Sequence, residues 1–201
     1  MAGYPQAPNG QFLPSPTSPY CPRTPPPQRT NIPPAASYVP PSTSPYPVGA
    51  NIKSGNVVSF ISRISGQSLQ ILQAPDGRLV LDCLGGDGHQ FVNAHFTIVQ
   101  DREGYILLHN NFNYLAIKEG TVQLYSAGPN GLPTPECRFK VREVLMQNQF
   151  VTVESVSERG RYIAVLPNGQ MKSAIATTGA DQDTHFAVRL IYSPQSAFTT
   201  K

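Results

Sequence analysis

The chain has 201 residues, enough for one domain with a tail, and carries 15 basic against 12 acidic residues. Two of the bases fall in the first 50 residues, so 51–201 holds 13 bases against 12 acids and is close to neutral. That balance leaves no basic stripe to neutralise phosphates, which argues against a nucleic-acid partner, and no run of 18 apolar residues is present to span a membrane as a helix.

Residues 1–51 read as an arm. They hold 15 of the 21 prolines and only two charges, Arg23 and Arg29. A stretch so poor in apolar residues cannot offset the entropy of ordering itself, so disorder with polyproline II character is expected. The arm contains two near-copies, "SPTSPY" (15–20) and "STSPYP" (42–47), which make Thr17, Ser18 and Ser44 candidates for proline-directed phosphorylation. "CPRTPPPQR" (21–29) has the PxxP character that SH3 domains read. The N-terminus lacks a basic n-region and an apolar h-region, so no secretory signal is read there. Cys21, Cys83 and Cys137 are odd in number and lack metal spacing, which suggests free thiols in a reducing compartment.

A folded domain is expected over 52–193, followed by a tail at 194–201. It opens with an alternating run, "VVSFIS" (57–62), and then "QSLQILQAPDGRLVLDC" (67–83). Pro75-Asp76-Gly77 is turn chemistry, so this segment reads as strand–turn–strand with a loop of three to five residues. The glycine-rich "LGGDGHQ" (84–90) lacks the G-K-[ST] ending of a phosphate loop and reads as a solvent loop. "HFTIV" (95–99) is a strand built around Phe96.

The same order then recurs. "YILLHN" (105–110) precedes "NYLAIKEGTVQLYSA" (113–127), and "RFKV" (138–141) follows. "FVTVES" (150–155) precedes "RYIAVLPNGQMKSA" (161–174), and "HFAVRL" (185–190) follows. Leu69-Gln70-Ile71 matches Leu115-Ala116-Ile117 and Ile163-Ala164-Val165, and each meets a glycine: Gly77, Gly120, Gly169. Period-2 alternation throughout predicts an all-β domain of three pseudo-repeats with four strands each, twelve in all. Three units are too few for a propeller, so the expected fold is a β-trefoil. Its core is expected to contain Leu69, Ile71, Phe96, Leu115, Ile117, Cys137, Phe139, Ile163, Val165 and Phe186.

These motifs, in this order over 55–191, resemble the fibroblast growth factors. "LQILQAPDGRLV", "NYLAIKEGTVQLYSA", "PECRFKVREVLMQNQF", "RYIAVLPNGQMK" and "HFAVRL" each match a family pattern, with Cys137 at the family's buried cysteine. The resemblance implies receptor-contacting positions at Phe150, Val151 and Val153, and a sulfate-binding loop around Gln170 and Lys172. That loop, 169–186, holds Lys172 as its only Lys or Arg, opposed by Asp181 and Asp183, so heparan sulfate binding is expected to be weak or absent. The resemblance is greatest in character to the family's intracellular, partner-binding branch.

His95, Arg138 and His185 each precede a repeated phenylalanine, and repeat symmetry would offer them as a metal or anion cluster; outward-facing strand positions are the simpler reading. Tyr114, Tyr125 and Tyr162 are candidates for stacking on a sugar. No H-E-x-x-H, G-x-S-x-G or C-x-x-C occurs. The expectation is therefore a non-enzymatic, monomeric, intracellular protein-binding module, cytoplasmic or nuclear, without metal or cofactor. A growth-factor-type ligand exported without a signal peptide and a carbohydrate- or actin-binding module are the alternatives.

Overall fold

The computed structural model describes residues 48–144 and 149–194. The arm sites Thr17, Ser18 and Ser44, Cys21 and most of the C-terminal tail lie outside them.

Ten strands form: β1 (Val57–Ser62), β2 (Ser68–Gln73), β3 (Leu79–Gly85), β4 (Phe96–Gln100), β5 (Ile106–Asn110), β6 (Asn113–Lys118), β7 (Thr121–Ser126), β8 (Phe139–Glu143), β9 (Val151–Ser155) and β10 (Phe186–Tyr192). All pairings are antiparallel. Six strands close a ring in the order β1, β4, β5, β8, β9, β10 and back to β1. Closure leaves none of these six with an open edge. The hairpins β2–β3 and β6–β7 leave the ring through β1 and β5. The helical elements among the described residues are short 3₁₀ turns, and none is long and apolar enough to cross a membrane.

The all-β expectation holds, but the β-trefoil of twelve strands is corrected. The structure shows a closed six-stranded barrel with two hairpins; the third repeat supplies no hairpin strands. Its segment 161–172 makes only isolated bridges, Glu154↔Tyr162 and Val165↔Met171. The physical reason lies in where its amides go. Leu166 and Lys172 N–H still donate across the turn, to the Gln170 and Ala164 carbonyls, but the next inward pair would be Tyr162 with Ala174, and there Tyr162 N–H donates to Thr177 Oγ1 and Ala174 N–H to the Gly120 carbonyl. Backbone groups used for tertiary bonds are not available for a ladder. The second copy is corrected in a smaller way: it turns in two residues, Glu119 and Gly120, both at positive φ, with Lys118 opposite Thr121.

The core fills the barrel. Phe60, Phe96, Phe139 and Phe186 are at most 1% exposed, and Phe60 meets Phe96 and Phe186 edge-on with ring centroids 6.3 Å apart. Leu69, Ile71, Leu115, Ile117, Ile163 and Val165 join the same cluster. Cys137 is buried in a separate one, against Leu107 and Ala116 on the outer face of β5 and β6. Each repeated phenylalanine follows a three-residue 3₁₀ turn: Val92–Ala94, Pro135–Cys137 and Gln182–Thr184.

Candidate protein-binding surface

Three loops adjoin at one place on the barrel: the β3–β4 connection, the β5–β6 turn and the β7–β8 connection. Asn110 joins the first two. Its side-chain amide donates to the carbonyls of Val92 and His95, both at 2.8 Å. A backbone bond joins the second and third, from Ala127 N–H to the Phe112 carbonyl at 3.1 Å. The loops present Phe91, Val92, Phe112 and Leu132, which are 39%, 63%, 47% and 83% exposed.

The β5–β6 turn consists of Asn111 and Phe112, with φ of 47° and 65°. Positive φ at both central residues is the requirement of a type I′ hairpin turn, whose favoured pair is Asn-Gly. Asn111 fits the first position. Phe112 takes the place of glycine and bears the left-handed backbone at a cost of about 1–2 kcal/mol. The turn therefore holds a large apolar side chain in solvent at the expense of stability.

The surroundings are short of charge. His109 and Tyr114 sit opposite each other across β5 and β6, with rings 4.9 Å apart, and Tyr125 faces Tyr114 from β7. Burial pushes the His109 imidazole below its usual range, which favours the neutral ring. In the β3–β4 connection, Asp87 is tied to Arg189, and His95 Nε2 lies 3.0 Å from the Gly88 carbonyl. Phe91 lies over Gly86, where any side chain would run into its ring. A rim with few charges around an exposed aromatic suits another protein's apolar surface.

The positions that the family resemblance implied for binding are not gathered on one surface. Val151 and Val153 belong to the barrel core, and Phe150 packs with Ile61 and Ala187. Gln170 is exposed in its turn. Lys172 Nζ pairs with Asp183 Oδ2 at 2.6 Å. His95, Arg138 and His185 also stay apart. Arg138 pairs with Asp101 at 3.0 Å and Glu103 at 3.3 Å. His185 is 4% exposed; its Nδ1 is 3.2 Å from Arg63 Nη1 and its Nε2 3.3 Å from the Gly179 carbonyl. Tyr162 stands apart from the other two tyrosines, bridged to β9 at Glu154.

Among the described residues, no group of three or more His, Cys, Asp or Glu is arranged to hold a metal. A cleft of about 380 Å³ lies beside β8, lined by Ile52, Ile106, Val141, Lys140, Arg142 and Glu143. Its acid and arginine are engaged: Glu143 accepts from Gly49 N–H at 2.8 Å, and Arg142 lies 3.6 Å from Glu154. Burial pushes the Cys83 thiol up to about 11, and Cys137 is raised for the same reason, so neither is an activated nucleophile.

Sequence reasoning missed Phe112. The signal was present: "YILLHN" ends at 110 and the next strand begins at 113, leaving a two-residue turn. Phenylalanine in place of glycine hides it. No protein-family model matches this chain, and no curated protein matches it either.

Proposed function

We propose that the barrel is a non-catalytic protein-interaction module that docks a partner on Phe91, Val92, Phe112 and Leu132. The observation that carries this reading is Phe112, held 47% exposed on a left-handed backbone. Backbone strain that serves no packing is characteristic of functional sites. The motif resemblance to fibroblast growth factors supports the same broad class, a binding protein. Burial of Phe150, Val151 and Val153 argues against a receptor contact there. The Lys172–Asp183 pair leaves the 169–186 loop without a free lysine or arginine, which supports weak heparan sulfate binding. Cys83 and Cys137 are free and buried, which supports a reducing compartment inside the cell.

The test is Phe112→Gly in the full chain. Relief of the left-handed strain is expected to stabilise the fold by about 1 kcal/mol in denaturant unfolding. The same variant, and Val92→Ser beside it, is expected to abolish capture of the partner from cytosol. Undiminished capture by both variants overturns the surface; a loss of stability in Phe112→Gly overturns the strain argument.

A further inference from the structure

The ring gives β8 a neighbour on each side, but β5 meets it only at Phe139, opposite Ile106. The rest of β8 runs on past β5. The bonds to β9 show which of its backbone groups face that uncovered side. Val144 N–H donates to the Phe150 carbonyl and Val156 N–H to the Arg138 carbonyl, with Lys140 opposite Glu154 and Arg142 opposite Thr152. Alternation therefore turns the N–H and C=O groups of Lys140 and Arg142 to β9, and those of Val141 and Glu143 away from it. Among the described residues, no hydrogen bond is made by the backbone groups of Val141 and Glu143. The cleft of about 380 Å³ follows this stretch, with Ile52, Ile106 and Val141 as apolar lining and Gly49 beside them.

Residues 44–47, Ser-Pro-Tyr-Pro, lead directly into Val48 and Gly49. Gly49 N–H donates to Glu143 Oε1 at 2.8 Å, so the chain enters the barrel at the Glu143 end of this edge. Two residues of extended chain span about 6 Å, which puts Tyr46 within reach of the cleft. A segment tethered this closely is held by contacts too weak to capture a free ligand. Its sequence suits the edge of a sheet. Pro45 and Pro47 lack an N–H, and in an extended chain their nitrogens face one side, while the N–H and C=O of Tyr46 face the other. Ser44 and Tyr46 each precede a proline, which biases them toward extended backbone before any contact is made. Residues 30–47 hold no Lys, Arg, Asp or Glu, so docking buries no charge of the segment.

We propose that residues 44–47 add to β8 as a short edge strand and close the cleft. The segment runs toward Glu143, as β8 itself does, so the pairing is parallel. Tyr46 lies opposite Arg142: its N–H donates to the Val141 carbonyl, and its carbonyl accepts from Glu143 N–H. Pro45 and Pro47 turn their nitrogens away from β8, where the missing N–H costs nothing. Pro45 falls beside Val141, over the apolar lining of the cleft. Tyr46 falls on the face of Arg142, which is 63% exposed and reaches Glu154 only at 3.6 Å, so the guanidinium is able to take a phenol ring over it. A shift by one residue would set a proline nitrogen against the Val141 carbonyl and lose the pair. The proposal uses a different surface from Phe112 and goes beyond the function proposed above.

Amide hydrogen exchange in the full chain tests it, with Tyr46→Pro, Pro45→Ala and Arg142→Ala beside the wild type. Tyr46→Pro removes the segment N–H that the pairing needs and changes no residue of the barrel. Glu143 N–H is expected to exchange about tenfold more slowly in the wild type than in Tyr46→Pro. Pro45→Ala restores an N–H on the side turned away from β8 and is expected to keep that protection. Arg142→Ala is expected to lower it about threefold, by loss of the cation–π contact. Fluorescence gives an independent readout, because the chain has no tryptophan. A tryptophan introduced by Tyr46→Trp is expected to be less accessible to acrylamide than one introduced by Tyr38→Trp. Equal Glu143 exchange in the wild type and Tyr46→Pro overturns the proposal, and so does equal quenching at 46 and 38. Protection that survives Tyr46→Pro but is lost on removing 195–201 would give the edge to the C-terminal segment and overturn it as well.

Discussion

The first and third sequence copies make the same turn and then part company. In the first, Ala74 N–H donates to Arg78 O, Gly77 N–H to Ala74 O, and Arg78 N–H to Asp76 Oδ1. In the third, Leu166 N–H donates to Gln170 O, Gly169 N–H to Leu166 O, and Gln170 N–H to Asn168 Oδ1. The pattern is bond for bond the same, set by Pro-Asp-Gly and Pro-Asn-Gly. Yet the first turn joins two strands in a ladder from Gln73↔Leu79 to Ser68↔Gly85, and the third closes on isolated bridges. The first turn stands in solvent, so its flanks can only pair with each other. The third lies against Cys83 and Leu84: the Gly169 carbonyl accepts from Cys83 N–H, and beyond the Ala164–Lys172 bond the Tyr162 and Ala174 amides are drawn off to Thr177 Oγ1 and the Gly120 carbonyl. Turn chemistry is local; strand formation is decided by what else competes for the amides.

Substituting the two turn glycines breaks this comparison most directly. Gly77 and Gly169 have nearly the same φ, 84° and 81°. A Cβ at Gly77 would meet nothing nearer than Gln73 Nε2 at 4.0 Å. At Gly169 it would run into the Leu84 side chain and lie 3.0 Å from the Cys83 carbonyl oxygen. Gly77→Ala is expected to cost about 1 kcal/mol, the backbone penalty alone. Gly169→Ala adds overpacking and is expected to cost about 3 kcal/mol. Equal midpoint shifts in urea would show that the third turn is not packed as described.

The next largest difference concerns the two acid–base pairs of these copies. Lys172 and Asp183 are 22% and 15% exposed, whereas Arg78 and Asp76 are 82% and 50% exposed. Asp183→Asn is expected to destabilise by about 1–2 kcal/mol, because it leaves a half-buried ammonium without its counter-charge. Asp76→Asn is expected to leave the thermal midpoint unmoved.

The smallest effect is a pH dependence carried by the third copy's histidine. Burial, and then Arg63, holds the His185 imidazole below its ordinary value, against the opposing pull of the Gly179 carbonyl, Asp183 and Asp181. The unfolded chain therefore binds the proton first as pH falls. Stability from this group is full above about pH 6.5 and is lost as pH drops below that value toward the lower folded one. His109 contributes with the same sign. Replacing His185 with Asn is expected to flatten, not abolish, the decline of melting temperature between about pH 7 and about pH 5. An unchanged slope would show that the imidazole is not held neutral by the fold.

The candidate surface was less legible than the core. Phe96, Phe139 and Phe186 recur at fixed places in alternating runs, so their burial can be read from pattern. Phe91, Val92 and Leu132 are lone apolar residues in loops, with no period to say whether they face in or out. Phe150, Val151 and Val153 look like surface positions by resemblance, yet their own alternation and apolar character fit the interior where they lie.

The amino-acid order by itself determined an all-β domain, the Pro-Asp-Gly and Pro-Asn-Gly turns and the burial of the three repeated phenylalanines, because turn residues and period-2 burial act over a few neighbours. Only the tertiary structure decided that six strands close a ring while the third copy forgoes its hairpin. It also decided that Phe112 stands strained in solvent and that the third turn packs on Cys83 and Leu84 of β3. Those outcomes depend on which distant backbone groups reach a given amide first, and no local pattern carries that information.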